Sequence, residues 1–141
     1  MADVSVRHAH WEHDRDRLCR IREAVFVVEQ KVPRALEWDG LDAQCEHVLA
    51  EIDGEAVGTG RLLPDGHIGR IAVLAAWRGR GIGSALLREL TAIAVRRGLE
   101  RVVLHAQTHA RHFYEQHGFR AEGEEFSEAG IPHVRMAKPL R

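Results

Sequence analysis

The feature that most constrains this chain is a change of hydrophobic period at one glycine-rich segment. Upstream of it, apolar and polar residues alternate through three short runs. Downstream, apolar residues recur with the 3.6-residue spacing of a helix. Between the two lies Trp77-Arg78-Gly79-Arg80-Gly81-Ile82-Gly83-Ser84. Glycines at a strand-to-helix junction let the backbone bend tightly and turn several N–H groups toward one point, at the positive end of the helix dipole. Such a junction is a cradle for phosphate, and Arg78 and Arg80 add charge to it. A ligand-free connector is the plainer reading, but alternating glycines flanked by arginines exceed what a turn requires. Two familiar phosphate loops fail on spacing. A dinucleotide fingerprint needs glycine at i, i+2 and i+5, which falls on Ser84 counting from Gly79 and on Leu86 counting from Gly81. A P-loop needs Gly-Lys-Ser/Thr, and the segment has no lysine.

Around that junction the remaining elements can be placed. A strand is expected near Val4–His10, then a helix from Asp14 to Glu29 with Leu18, Ile21, Val25 and Val28 on one face. Pro33 cannot sit inside that helix, and Lys31–Gln44 reads as an acidic loop with room for one helical turn. Asp53-Gly54 suits a two-residue hairpin turn between strands His47–Ile52 and Glu55–Leu63. Pro64-Asp65-Gly66 leads into a third strand, His67–Leu74. A helix over Ile82–Arg97 carries Leu86, Leu90 and Ile93 on one face and closes at Gly98. Strand Arg101–Ala106, helix Thr108–His117 and strands Phe119–Phe126 and His133–Lys138 complete the chain, with Ala129-Gly130-Ile131-Pro132 as the last turn. Strand, helix, strand implies a right-handed crossover and a parallel pair. The expectation is an α/β (α+β) fold: a mixed, mostly antiparallel sheet of about seven strands, helices on both faces, and residues 1–141 as one domain.

Charge narrows the function. Twenty Lys+Arg against 21 Asp+Glu leave a formal charge of −1, without the basic surplus that a nucleic-acid or anionic-membrane binder needs. Cys19 and Cys45 are too few for a disulfide scaffold and lack zinc spacing. No apolar run approaches a membrane span, and the start of the chain lacks the order of a signal peptide, so a cytoplasmic protein is expected. His105, His109 and His112 invite a metal reading, but His105 sits on a strand and no acidic or Cys partner is close in sequence; no metal is expected.

Two motifs carry a resemblance. Arg78-x-x-Gly81-x-Gly83, after strand residues Gly69-Arg70-Ile71-Ala72-Val73, resembles the acyl-CoA signature of the GNAT N-acetyltransferase family. Gln107-x-x-Ala110-x-x-Phe113-Tyr114-x-x-x-Gly118-Phe119 is similar to the family's second signature, with Gln107 where asparagine is usual. Three further segments resemble the ElaA/YjcF-type branch: Arg22–Gln30, the Glu37-x-Asp39-x-x-Asp42 loop, and Glu124-Glu125-Phe126 leading to Gly130-Ile131-Pro132-His133. The resemblance covers nearly the whole chain and implies the GNAT fold with a splayed parallel pair at its centre.

It also implies direct acetyl transfer from acetyl-CoA to an amine, a small molecule or a peptide, without a covalent enzyme intermediate. Loop residues Arg78, Gly79, Arg80, Gly81, Ile82, Gly83 and Ser84 would take the pyrophosphate. The edge of Ile71, Ala72 and Val73, with the Gln107 amide, would take the pantetheine arm, and the Val73 N–H would meet the thioester oxyanion. Tyr114, the only tyrosine, matches the family's acid; by position alone it is an aromatic packing beside Phe113. The base is open among Glu29, Glu37, Asp39, Asp42, His105 and His133. His133 is favoured because histidine titrates near neutrality, against the plain reading of a hydrogen-bonded edge histidine. Glu29, Glu37, Asp39 and Asp42, with Trp38, are the candidates for holding a cationic acceptor, against the plain reading of a solvated loop. Arg70 is grouped with Arg78 and Arg80 as phosphate-side charge. A non-catalytic acyl-CoA-binding module is the alternative, and a homodimer is a common outcome for a small domain.

Overall fold

The computed structural model describes residues 3–141; residues 1 and 2, which the single-domain expectation includes, lie outside it. The chain runs β1 (Ser5–Ala9), α1 (Trp11–Arg22) continuing into a π-wound stretch (Glu23–Glu29), α2 (Arg34–Glu37), β2 (Glu46–Ile52), β3 (Glu55–Leu62) and β4 (Ile68–Val73). Beyond the glycine-rich turn come α3 (Ile82–Arg96), β5 (Arg101–Gln107), α4 (Arg111–Gln116), β6 (Arg120–Glu128) and β7 (Ile131–Pro139).

The strands form two antiparallel sheets, β1-β2-β3-β4 and β5-β7-β6, rather than one continuous sheet. They meet where β4 and β5 begin, at a single parallel bridge between His67 and Val103. The Val103 N–H donates to the Gly66 carbonyl there, at 3.0 Å. The expected parallel pair is thus one bridge, beyond which β4 and β5 diverge.

Helix α3 packs one apolar face on the sheets: Leu86, Leu90 and Ile93 are buried, as their spacing predicts, together with Ile82, Leu87 and Ala94. Gly60 in β3 allows this close approach, since a Cβ there would lie 2.8 Å from Leu90 Cδ1. On the opposite face α1 contributes Leu18, Ile21 and Val25 to a second cluster with Leu49 and Ala72. Val28, expected on that face, is 61% exposed. The π-wound turns after Arg22 advance by more residues per turn than an α-helix and rotate Val28 away from the core. The same helix begins at Trp11 rather than at Asp14. Asp14 is itself buried and accepts the His10 N–H at 2.9 Å, held by Arg7, so the first turn is tied down by charge while Trp11 packs on the second cluster.

The last hairpin is tighter than expected. Ala129 and Gly130 alone form the turn, with φ of 53° and 75°, the left-handed pair that a two-residue hairpin uses. Pro132 therefore lies in β7, opposite Ser127 of β6. It needs no N–H toward β5, whose pairing with β7 ends at Gln107 and His133.

Candidate functional site

The divergence of β4 and β5 opens a cleft of about 680 Å³. Its β4 wall is irregular. Arg70 has a φ of 55°, and the register with β3 slips between Thr59 and Arg61. Past this bulge the ladder is regular, and the Leu74 N–H donates to the Val57 carbonyl at 2.9 Å. Alternation along an antiparallel strand then turns the N–H and C=O of Val73 toward the cleft side. The Val73 carbonyl accepts from Arg78 Nε at 2.9 Å.

The glycine-rich turn follows directly. Gly79 and Gly81 adopt φ of 78° and 79°, and a Cβ on either would meet nothing within 4 Å, so this backbone is open. Gly81 caps α3 with no side chain bonded to the first helical N–H groups, the usual requirement for anion binding there. Arg80 lies over the Trp77 ring at 4.8 Å. Arg78 is held bidentately by Glu29, at 2.6 and 2.7 Å. That pair keeps the Glu29 carboxyl below its ordinary range. It also places Glu29 beside the loop and away from the other acidic candidates. The Ser84 hydroxyl pairs with His117 Nε2 at 2.9 Å. The His117 imidazole is pushed down by burial and by Arg88 and Lys138.

Across the cleft, the Gln107 amide is engaged on both sides. Its Nε2 donates to Gln30 Oε1 at 2.8 Å, and its Oε1 lies 2.7 Å from His109 Nε2. Tyr114 lines the cleft from α4. Burial pushes its phenol up to about 12, and it packs edge-on against Phe113 and Phe119, with centroids 5.0 and 5.9 Å away. It packs beside Phe113, as its position alone suggests, and it also lines the cleft. His133 is buried, stacks on Phe126 with a centroid distance of 6.0 Å, and has Nδ1 2.7 Å from the Ile131 carbonyl.

The acidic loop differs from both readings of it. Glu37 and Asp42 are buried and, with Asp39, interleave with Arg22, Arg61 and Arg70. Arg22, only 1% exposed, donates to Glu37 Oε2 at 2.8 Å, Asp42 Oδ1 at 2.6 Å and the Glu37 carbonyl at 3.1 Å. Burial alone would raise the Asp42 carboxyl, but the Arg22 and Arg61 hydrogen bonds more than reverse this. Arg61 holds the Asp39 carboxyl down at about 2. Three carboxylates matched by three guanidinium groups leave no surplus negative charge for a cationic acceptor, and Trp38 covers Arg22 at 4.8 Å instead. Arg70 belongs to this network too, with Nε 3.0 Å from Glu37, and stands apart from Arg78 and Arg80.

Sequence reasoning missed three groups at this cleft: Gln30, Arg61 and Glu128. Glu128 could have been found from Ala129-Gly130, a two-residue turn that pairs it with Ile131 and brings it beside His133. Among the described residues, no helix is long and apolar enough to cross a membrane, and no three His, Cys, Asp or Glu side chains come together as a metal site.

The Acetyltransferase (GNAT) domain profile matches residues 12–140. The chain belongs to the GNAT acetyltransferase family. Among relatives of this GNAT protein is the uncharacterised N-acetyltransferase YjcF of Bacillus subtilis, 41% identical over 122 residues, or 84% of this chain and 87% of that one. The crystal structure of Escherichia coli ElaA superposes with a TM-score of 0.84 at 33% identity, covering 98% of this chain and 99% of the other. An acyl-CoA N-acyltransferase from Pseudomonas aeruginosa superposes with a TM-score of 0.82 at 35% identity, covering 96% and 99%. The GNAT protein is an acetyltransferase of the type that uses acetyl-CoA.

Proposed function

We propose that this protein, acting as a single domain, transfers the acetyl group of acetyl-CoA directly to a primary amine within one ternary complex. The observation that carries this reading is the run of open backbone along one edge of the cleft. The Val73 N–H, turned away from β3 by strand alternation, the unobstructed Gly79 and Gly81 and the uncapped start of α3 follow one another beyond the β4 wall of the cleft, which Tyr114 also lines. The loop takes the pyrophosphate and the β4 edge takes the pantetheine arm as an added strand would. The Val73 N–H then meets the carbonyl oxygen as negative charge builds on it. Tyr114 gives a proton to the departing sulfur; burial keeps that phenol protonated throughout the neutral range. His133, with Nδ1 tied to a carbonyl, presents Nε2 to the incoming amine.

The test is thiol release from acetyl-CoA with a panel of primary amines: a polyamine, an amino sugar, a lysine peptide and a peptide with a free amino terminus. The expected result is turnover with at least one amine, and a loss of roughly 10²–10⁴ in kcat for Tyr114→Phe with acetyl-CoA affinity retained. Binding of acetyl-CoA without turnover of any amine would instead identify an acyl-CoA-binding module.

A further inference from the structure

His133 does not stand alone in the cleft. Its Nε2 lies 3.6 Å from Glu128 Oε2, and the other oxygen of the same carboxylate, Oε1, lies 3.0 Å from His105 Nδ1. The three side chains come from β7, β6 and β5, brought together because β7 runs between the other two strands. Phe126 fills the space among them, stacked on His133 and edge-on to His105 at 5.0 Å.

Hydrogen-bond chemistry assigns the protons. A backbone carbonyl only accepts, so the His133 Nδ1 that faces Ile131 must carry hydrogen. The neutral ring then has its lone pair on Nε2, on the side of Glu128. An ionised carboxylate also only accepts, so His105 donates from Nδ1 and fixes the orientation of Glu128. The other charges nearby are already matched: Arg135, across the strand from His105, is paired with Glu122 at 3.4 Å, and Asp65 with His67 at 3.0 Å. Glu128 is thus the carboxylate left to answer a charge appearing on His133.

Resting on the acetyl-transfer reading above, we infer that Glu128 is a positioning residue that acts through His133, as counter-ion to the imidazolium formed when His133 takes the proton, with His105 fixing Glu128 and the Ile131 carbonyl orienting the neutral ring. In the step it supports, an N–H bond of the acceptor's ammonium breaks as the bond between that hydrogen and His133 Nε2 forms. The electron pair stays on the amine nitrogen, free to attack the thioester. The imidazolium produced faces Glu128, and its proton later passes to water.

The experiment uses the full chain, the panel amine that the wild type turns over fastest, and Glu128→Gln. Glutamine keeps an oxygen for His105 but removes the charge, and its half-exposed site on the hairpin leaves the core untouched. The expected result is a roughly two- to fivefold fall in kcat, as for loss of one partly solvated ion-pair partner, with KM for the amine and for acetyl-CoA unchanged. His133→Ala should lower kcat further, and Glu128→Gln added to it should have no additional effect. Nitrogen-15 spectra of the wild-type imidazoles should show His133 as the Nδ1–H tautomer. Wild-type kcat in Glu128→Gln would overturn the role of Glu128 while leaving acetyl transfer standing. A change confined to KM for the amine would make Glu128 an ammonium anchor, and an Nε2–H tautomer would leave His133 without its lone pair; either overturns the inference. Absence of turnover in the wild type would remove the underlying reading as well.

Discussion

Glu29→Gln should tighten the binding of coenzyme A. Arg78 stands first in the loop proposed to take the pyrophosphate, yet its guanidinium is held by Glu29 and by the Val73 carbonyl. To reach a pyrophosphate it must leave the carboxylate. Both partners are exposed, Arg78 to 41% and Glu29 to 43%, so the bond is of the surface class, worth ~0.5–1 kcal/mol even in bidentate geometry. An unfavourable step of that size reduces apparent affinity by roughly two- to fivefold, since 1.4 kcal/mol is tenfold. Removing the carboxylate should recover that factor. Isothermal titration calorimetry with coenzyme A measures it directly, at low salt and at 0.5 M NaCl, where the Debye length shrinks to ~4 Å and the gain should largely vanish. Simple relief of repulsion between Glu29 and phosphate predicts the same sign, so Arg78→Met supplies the control. In that background Glu29→Gln should change the affinity little. Weaker binding in the single variant would mean that Glu29 pre-orients Arg78 for the ligand. Equal tightening with and without Arg78 would mean that the ion pair does not matter. Either result refutes the competition.

Two further outcomes follow from the buried charges. Arg22→Met should cost about 3–5 kcal/mol in urea unfolding, because it leaves Glu37 and Asp42 buried beside one fewer cation; Arg17→Met, at the more exposed Arg17–Glu51 pair, should cost under ~1 kcal/mol. Thermal midpoints should fall with acid in two stages. Burial pushes the His47 imidazole below its ordinary 6.5, so the unfolded chain takes up that proton first and stability declines as pH drops below that value. Asp14 and Asp39, held at about 2 by Arg7 and Arg61 against an ordinary 3.8, contribute stability that is present above about pH 4 and lost as pH falls toward 2. Asp14→Asn should lower the midpoint at pH 6 and flatten the second stage; a midpoint unchanged between pH 4 and 2 in the wild type would contradict it.

Much of the fold was legible because its signals are local. The glycines of the loop announce a strand-to-helix turn through backbone freedom alone, and Gly79 and Gly81 use it. Leu86, Leu90 and Ile93 are spaced for one helical face and are buried on it. Val28 was misplaced because the apolar period assumes α-winding throughout, and the chain switches to π-winding after Arg22. The division into two sheets was equally hidden, since pairing between β4 and β5 depends on how far the two strands run together in space.

The candidate site was legible in its residue types and much less in its partners. Tyr114 and His133 line one cleft, and Gly79 and Gly81 form the glycine-rich turn that leads from β4 into α3. Glu29, Glu37, Asp39 and Asp42 looked like one acidic surface. Glu29 instead binds Arg78, 49 residues away, and Asp42 binds Arg22, 20 residues away.

The sequence by itself determined where the backbone turns, which helix face is apolar and which chemistry the two motifs belong to, because these depend on neighbours a few residues apart. Which carboxylates are neutralised and which one lies beside His133 were decided only by the tertiary structure. A charge acts through distance and burial, and its partners here arrive from strands and helices that the chain brings together only once it is folded.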